Sequence, residues 1–435
     1  MTSSSKKKIL YFPTRYFPSI SGAEFYIQRM AEILSTKYGY LVEIFTSNAI
    51  DFKALRSPTG KIITEREINF KKVNDIKVSR FPVIYNKSLS DMVNQIKKID
   101  AYQELNLNDS LLEEILKNGP FLLNLLDNYL KLDRFQFNLI HTTYYPYLNI
   151  LISLLLGKHF DVPVIITPFF HISNPRYLNQ DLMKILKKFD LLIACTNTEK
   201  EFLSTIGGVS KKLIKVIPMG VDFEMFSLMA HRKSHKYQFK EKFFLENEKN
   251  YKMVLFCGYK NFEKGAISIL NSIPYILQKY KKVYFVFIGP GTIAYNRELS
   301  RIKKNPSVRI INLTPQNLKG YYDEKKIAAF READIYLMPS RSDAFGISFL
   351  EAWSAGKPVI GANIGATPEV IKNDNDGLLV NFDDPKDISE KVIRLLKNKR
   401  LRRRLGNNGK VKVERCHTWD VIAQKHDKIY KNLIP

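Results

Sequence analysis

The richest chemistry in the sequence lies in one stretch, Pro339-Ser340-Arg341-Ser342-Asp343-Ala344-Phe345-Gly346-Ile347-Ser348-Phe349-Leu350-Glu351-Ala352-Trp353-Ser354-Ala355-Gly356-Lys357-Pro358-Val359-Ile360. An apolar run ends there, a loop carries Asp343 and Gly346, and a short helical segment carries Glu351. Paired carboxylates flanking Phe345, Gly346 and Ile347 can grip vicinal hydroxyls, while backbone N–H groups at a helix start bind other oxygens. Glu351 sits among Phe349, Leu350, Ala352 and Trp353, and an acid in such company is costly unless it binds something. The plainer alternative has Asp343 capping the helix and Glu351 exposed. Three other places put small or basic residues just after an apolar run. In Gly258-Tyr259-Lys260-Asn261-Phe262-Glu263-Lys264-Gly265, a lysine entering a helix is placed to neutralise a diphosphate; an exposed loop lysine is the alternative. Gly289-Pro290-Gly291 is a tight turn and not a full dinucleotide fingerprint. Ser21-Gly22-Ala23-Glu24 lets backbone N–H groups approach a phosphate or sugar, or serves as a turn with Ser21 as helix cap.

These positions make sense only if strands and helices present them. Ile9–Phe12, Val42–Thr46, Leu139–Thr142, Val162–Thr167, Leu191–Thr196 and Leu213–Pro218 read as buried strands, with helical stretches such as Ala23–Tyr38 and Lys184–Phe189 between them. A second series runs through Met253–Cys257, Val283–Gly289, Val308–Leu313, Ile335–Pro339, Pro358–Gly361 and Gly377–Val380. Strands spaced by helices imply parallel sheets of βαβ units, whose ligands bind beyond the carboxyl ends of the strands. A chain of 435 residues exceeds what one core supports, so two doubly wound α/β domains are expected, at 1–225 and 226–417. The connection falls in Asp222–Tyr251, with the polar run His231–Lys236 as a solvated link. Asp51–Arg134 is long, charged and largely helical, with helices expected at Asp91–Ile99 and Leu111–Leu130; it reads as an insertion over the binding face. Its Leu122, Leu123, Leu125 and Leu126 near Lys131 and Arg134 could hold a lipid-linked acceptor.

Lys and Arg number 68 against 43 acids, a formal charge of +25, which calls for an anionic partner: nucleic acid, anionic lipid or a phosphorylated small molecule. Nucleic acid is disfavoured because the aromatics fall mainly in strands rather than interleaved with arginines in loops. Three scattered cysteines give no disulfide framework and suit a reducing cytoplasm. The longest apolar stretch, Tyr147–Leu156, is too short and too interrupted for a bilayer span and reads as a core helix. Asp374-Asn375-Asp376 before Gly377 is good turn chemistry rather than a metal motif, and none of the seven histidines forms a spaced ligand pair.

Taken in order, the motifs resemble those of retaining GT-B glycosyltransferases of family four, the glycogen-synthase-like group 1 enzymes. Ser340 to Ala352 is similar to that family's Ser-x-x-Glu-x-Phe-Gly-x-x-x-x-Glu-Ala signature, Ser21–Glu24 to its Gly-Gly-x-Glu loop, and Val216–Asp222 to the segment closing the first domain. Gly365-Ala366-Thr367-Pro368-Glu369 resembles its Gly-Gly-x-Pro-Glu turn, and Thr418-Trp419-Asp420 the start of its last helix. The resemblance implies two Rossmann-like domains facing each other across a cleft, with the segment 418–435 packing back on the first. It implies that Glu351 holds the nucleotide ribose, Asp343 faces the transferred sugar, and Phe345, Gly346 and Ile347 complete that pocket. Lys264 matches the lysine on the diphosphate, with Gly258, Gly289, Ser21 and Gly22 lining the donor. His171, in Thr167-Pro168-Phe169-Phe170-His171, resembles a histidine facing the donor sugar; a core or loop histidine is its alternative. Tyr259 stands where the family has a second cation, so that either Lys260 substitutes or the diphosphate clamp is weaker and donor affinity lower; Asp343 is one methylene shorter than the usual glutamate, and Ser21 replaces a glycine.

The implied reaction is metal- and cofactor-independent transfer from a UDP- or GDP-linked sugar to a saccharide or lipid-linked acceptor in cell-surface glycan synthesis. It would run in the cytoplasm, with an anionic membrane surface as a candidate partner and nucleic acid as none. An epimerase of the same fold, acting on the donor alone, and a catalytically silent partner subunit are the alternatives.

Overall fold

In the computed structural model, which describes residues 6–19, 21–64, 71–128, 136–227 and 238–434, the β-branched and aromatic runs form two sheets. The expected link at 231–236 lies outside the described residues, as do Lys131 and Arg134. The chain divides into two units, Met1–Pro218 with Ile422–Pro435, and Met219–Val421.

The first unit holds β1 (Lys8–Phe12), β2 (Leu41–Ser47), β3 (Lys72–Val73), β4 (Ile76–Phe81), β5 (Leu139–Thr143), β6 (Val164–Thr167), β7 (Leu191–Ala194) and β8 (Ile214–Val216). Their order is β3-β4-β2-β1-β5-β6-β7-β8, parallel except for the β3–β4 pair. In the second unit β9 (Lys252–Cys257), β10 (Val283–Ile288), β11 (Ile310–Leu313), β12 (Ile335–Met338), β13 (Val359–Ala362) and β14 (Gly377–Val380) run β11-β10-β9-β12-β13-β14, all parallel. Both sheets are doubly wound. The order reverses between β1 and β5 and between β9 and β12, and a parallel sheet opens a ligand crevice at such a reversal, outside the carboxyl ends of the strands.

The stretch 51–134 differs from the expected insertion of helices. It supplies β4, which pairs along β2 from Glu43↔Lys77 to Ser47↔Phe81 and so belongs to the sheet. Ile76-Lys77-Val78-Ser79 alternates apolar and polar residues, the period of a strand with one covered face, and Arg80 then takes a place on the apolar face. The helix expected over Leu111–Leu130 is two, Asp109–Asn118 and Leu123–Asp127. Between them Gly119 takes φ +59 with its α-carbon pressed on the Leu55 carbonyl, and Pro120 can donate no helical hydrogen bond. Leu122, Leu125 and Leu126 are buried in the first unit's core and offer no lipid-facing surface, which corrects the expected acceptor role.

The helix Trp419–Leu433 is fixed to the first sheet through polar groups. Tyr430 Oη lies 2.7 Å from Tyr11 Oη and 2.6 Å from His141 Nδ1; His141 Nε2 meets Thr167 Oγ1 at 2.8 Å; Tyr26 Oη meets His426 Nε2 at 2.5 Å. The two imidazoles stack 6.0 Å apart, fully buried. Burial disfavours their charged forms, holding His141 well below the usual 6.5 and His426 at about 4. The unfolded chain therefore takes up protons near pH 6.5 that His426 in the folded chain refuses until about 4 and that His141 also refuses until well below 6.5. Stability is fully present above pH 6.5 and should fall on acidification through that window, with a slope of up to about 1.4 kcal/mol per pH unit for each histidine. Urea melts at pH 7, 6 and 5 check this; a His426→Gln variant should show a shallower loss.

Candidate active site

In the second unit the candidate residues gather where the sheet order reverses. Lys264 lies in the loop after β9, and Asp343 in the loop after the neighbouring β12. The Lys264 ammonium bonds Asp343 Oδ1 at 2.5 Å and the Ser342 carbonyl at 2.9 Å, while its own N–H donates to Asn261 Oδ1 at 2.8 Å. Asp343 Oδ2 is buried and has no hydrogen-bond partner among the described residues. An orphaned carboxylate oxygen beside a cation is a group prepared for a ligand.

The two loops are clamped together. Arg341 donates from Nε to Glu263 Oε2 at 2.9 Å, its N–H meets the Glu263 carbonyl at 2.8 Å, and Ser340 Oγ reaches the same carbonyl at 3.2 Å. Gly265, at φ +75, packs so tightly that a β-carbon would stand 2.3 Å from the Pro339 carbonyl. Gly289 and Gly258 also touch: a β-carbon on Gly289, at φ +130, would lie 2.1 Å from the Gly258 carbonyl. The turn after β10 is thereby seated against the loop after β9.

Gly346 caps the helix Ile347–Ser354 at φ +92, with no side-chain hydrogen bond to the helix start. The Phe349 N–H turns back onto the Gly346 carbonyl at 3.0 Å, and no capping side chain takes the N–H groups of Ile347 and Ser348, which an anion-binding helix start requires. Phe345 is buried and its ring lies 5.5 Å from His417. Glu351, one turn along, is 2% exposed; Oε1 meets the Lys326 ammonium at 2.7 Å, and Tyr321 also hydrogen-bonds this carboxylate. Glu351 is therefore not the exposed acid of the plainer reading, nor is it alone. Lys326, from the helix Glu324–Glu332, is its fixed counter-charge, and sequence reasoning missed it. The available signal was a lysine amid Ile327, Ala328 and Ala329, on a face that must be buried.

Lys260 is not where the sequence placed it. Its side chain is fully buried, with Nζ bonded to Asn312 Oδ1 at 2.7 Å and the Leu313 carbonyl at 3.0 Å, at the end of β11. Since β11 and β12 lie on opposite sides of β9, its ammonium turns away from that of Lys264. Burial pulls it down to about 8. The missing second cation is not replaced by Lys260.

Asp374-Asn375-Asp376 forms a turn. Asp376 accepts from the Lys372 N–H at 2.8 Å and pairs with Lys412 at 2.9 Å, and Asp374 pairs with Arg394 at 2.7 Å. Among the described residues no group of three His, Cys, Asp or Glu side chains is placed to hold a metal ion.

In the first unit Ser21 precedes the helix Gly22–Tyr38, but its hydroxyl bonds the Glu24 carboxylate rather than the helix start. Glu24 is buried and ion-paired to the equally buried Arg15 at 2.7 Å, a partner the sequence did not disclose. His171 is half-buried in the loop after β6, its ring 5.0 Å from Tyr177. Phe169 in this loop and Tyr144 after β5 take φ +48 and +76, conformations that bulky residues adopt only when held. They are held: the Phe170 N–H donates to the buried Glu199 at 3.0 Å, the Tyr145 N–H to the Pro168 carbonyl at 3.1 Å, and Phe169 lies 5.4 Å from Tyr26.

The sequence matches the model of glycosyl transferases group 1 over residues 238–412 and that of glycosyltransferase family 4 over 111–225. The chain is a group 1 glycosyltransferase. It is 24% identical to an uncharacterized glycosyltransferase of Methanocaldococcus jannaschii over 99% of both chains. It is 30% identical to the phosphatidyl-myo-inositol mannosyltransferase of Mycobacterium leprae over 184 residues, spanning 42% of this chain and about half of that relative. In fold it resembles Anabaena HepE, solved in complex with UDP-glucose, at a TM-score of 0.70 and 14% identity over 98% of this chain and all of that one. The two doubly wound units are thus the α/β layout of GT-B glycosyltransferases.

The buried Lys326–Glu351 pair makes a stability prediction for this glycosyltransferase. Removing one partner leaves the other charge buried and uncompensated, so Lys326→Ala should lower unfolding free energy by about 3–5 kcal/mol. Lys326→Met with Glu351→Leu should cost clearly less, as read from guanidinium melts.

Proposed function

We propose that this glycosyltransferase moves a sugar from a UDP- or GDP-linked donor to an acceptor hydroxyl with retention of anomeric configuration. The observation that carries the reading is the Lys264–Asp343 pair at the sheet reversal, with Asp343 Oδ2 orphaned beside the uncapped start of the helix Ile347–Ser354. The bond from the anomeric carbon to the leaving phosphate oxygen breaks, and one from the acceptor oxygen to the same carbon forms on the same face. The acceptor proton passes to the departing diphosphate. Charge grows on that diphosphate, and a prepositioned ammonium with helix-start N–H groups stabilises it without reorganising. Lys264 is that ammonium, and Gly346 and Ile347 offer the N–H groups. Asp343 accepts from sugar hydroxyls, and Glu351, held by Lys326, accepts from the ribose. The scheme calls for no metal or cofactor.

Support for a nucleotide sugar comes from the HepE complexes, whose bound ligands are UDP and UDP-glucose. A thermal-shift panel of UDP- and GDP-linked sugars should raise the melting temperature with one base, since ligands that bind only the folded state stabilise it. Lys264→Ala should cut turnover by about 10²–10³-fold, the loss typical of one charge-stabilising group, while melting near the parent temperature. Full activity in Lys264→Ala would sink the assignment. Conversion of donor to an epimer without acceptor would favour the epimerase.

We also propose that the enzyme works in the cytoplasm, peripherally at an anionic membrane surface, on saccharide or lipid-linked acceptors of cell-surface glycans. Support comes from the +25 charge and from Lys397, Lys399, Arg400, Arg403 and Arg404, which are exposed at the junction of the helices Pro385–Lys397 and Lys399–Cys416. No described helix is long and apolar enough to cross a membrane. Sedimentation with vesicles should require anionic lipid and fade with salt; equal binding to neutral vesicles would overturn this.

A further inference from the structure

At the carboxyl end of β4 lies a basic, hydroxyl-rich cluster that donor binding leaves unused. Arg80 is the register partner of Thr46 on β2, and such partners project to the same face of the sheet. One guanidinium nitrogen, NH2, donates to the Phe17 carbonyl at 2.5 Å. The other two, Nε and NH1, are buried and bond no group among the described residues. Thr46 Oγ1, Tyr16 Oη and Thr14 Oγ1 are in the same condition, on residues 0%, 0% and 1% exposed. Thr14 is close at hand, since its carbonyl accepts both the N–H and the hydroxyl of Ser47, the neighbour of Thr46.

Tyr16 and Arg80 feel each other's charge: burial raises the phenol, Arg80 opposes that rise, and burial lowers the guanidinium to about 10. The carboxylate that acts on Tyr16 is Glu32, and it is already bonded to Arg29 at 2.5 Å, Gln28 at 3.0 Å and Asn74 at 2.6 Å. No described carboxylate pairs with Arg80. An unpaired buried donor costs about 1–3 kcal/mol, and a cation without a counter-charge more. Water can satisfy the hydroxyls but supplies no negative charge. The donors also come from three chain segments, which suits the several oxygens of a tetrahedral group; a planar carboxylate is satisfied by the guanidinium alone.

The cluster draws Thr14 and Tyr16 from the Thr14–Ser19 loop that leads from β1 toward Ser21 and Gly22, and so lies at the same carboxyl edge as the first unit's candidate residues. Arg80 is half-exposed, which leaves the cluster a mouth.

We propose that Arg80, Tyr16, Thr46 and Thr14 bind a phosphoryl group carried by the acceptor, so that the acceptor is a phosphorylated saccharide or a phosphorylated lipid headgroup. This rests on the glycosyltransferase reading above and gives its acceptor a chemical class. The first test is stabilisation by inorganic phosphate against chloride at equal ionic strength. The wild type and Lys264→Ala should melt higher with phosphate, and Arg80→Gln and Tyr16→Phe should not. All three variants must first show wild-type circular dichroism; Arg80→Gln and Tyr16→Phe must also keep the nucleotide-sugar shift, which separates failure here from failure of the donor reading. The second test compares glucose with glucose 6-phosphate, and neutral vesicles with vesicles of phosphatidylinositol phosphate, as acceptors for the accepted donor. A phosphorylated acceptor in either arm should raise turnover at least tenfold over its neutral parent, and Arg80→Gln should erase that difference. Equal phosphate stabilisation in Arg80→Gln, or turnover indifferent to the phosphoryl group while donor binding holds, overturns the proposal.

Discussion

A carboxylate taken out of water must meet a fixed cation, and this constraint organises the candidate sites of both units. Glu351 has Lys326, Asp343 has Lys264, and Glu24 has Arg15. In each case the partner comes from a different stretch of chain, so the pair also fixes one loop or helix against another. Isolated burial of a charge as deep as Glu351 or Glu24 would cost several kcal/mol, whereas the Lys264–Asp343 pair, 22% and 13% exposed, keeps access to water. The adjacency of β9 and β12 is what places Lys264 on Asp343.

Close backbone contact does for the loops what the ion pairs do for the side chains. Gly289 against Gly258, and Gly265 against Pro339, leave no room for a β-carbon, so the turns after β10, β9 and β12 share one edge. In the first unit the same end is served by left-handed Phe169 and Tyr144, residues that gain nothing from that conformation alone. Glu199 and the Thr167 and Pro168 carbonyls tie those segments down, and the Tyr430–His141–Thr167 chain of hydrogen bonds reaches the base of the same loop. The C-terminal helix is in this way part of the scaffold under His171.

Much of this was legible in the sequence. Continuous apolar runs mark strands buried on both faces, and glycines and charges just after them mark the ligand edge of a parallel sheet. The loop of Lys264 and the Asp343–Glu351 segment were found that way. What escaped were relations with no local signature. Lys260 and Lys264 look equivalent in a loop, yet the bridge of Lys260 to Gly291 turns one side chain under β10 and β11 while the other stays with β12. Lys326 and Arg15 are ordinary cations until tertiary structure buries them beside an acid. The strand β4 escapes because charge dominates the region around it and its two-residue period runs only from Ile76 to Ser79 before Arg80 and Phe81 reverse it.

On the proposed reading, the pairing of Lys264 with Asp343 links recognition of the two halves of the donor. With no donor in place the Lys264 ammonium is engaged by Asp343 Oδ1, and only Oδ2 is open to a ligand. A diphosphate carries more charge than one carboxylate and draws the ammonium toward itself, which leaves Asp343 with two oxygens to offer sugar hydroxyls. A nucleotide lacking the sugar would leave that newly exposed carboxylate unsatisfied, at the cost of an unpaired buried acceptor. The shorter side chain of aspartate suits this arrangement, because it keeps the carboxylate within reach of Lys264 in the loop next door. On that reading, the residue that departs from the family's glutamate would be the one that ties sugar binding to the charge of the leaving group.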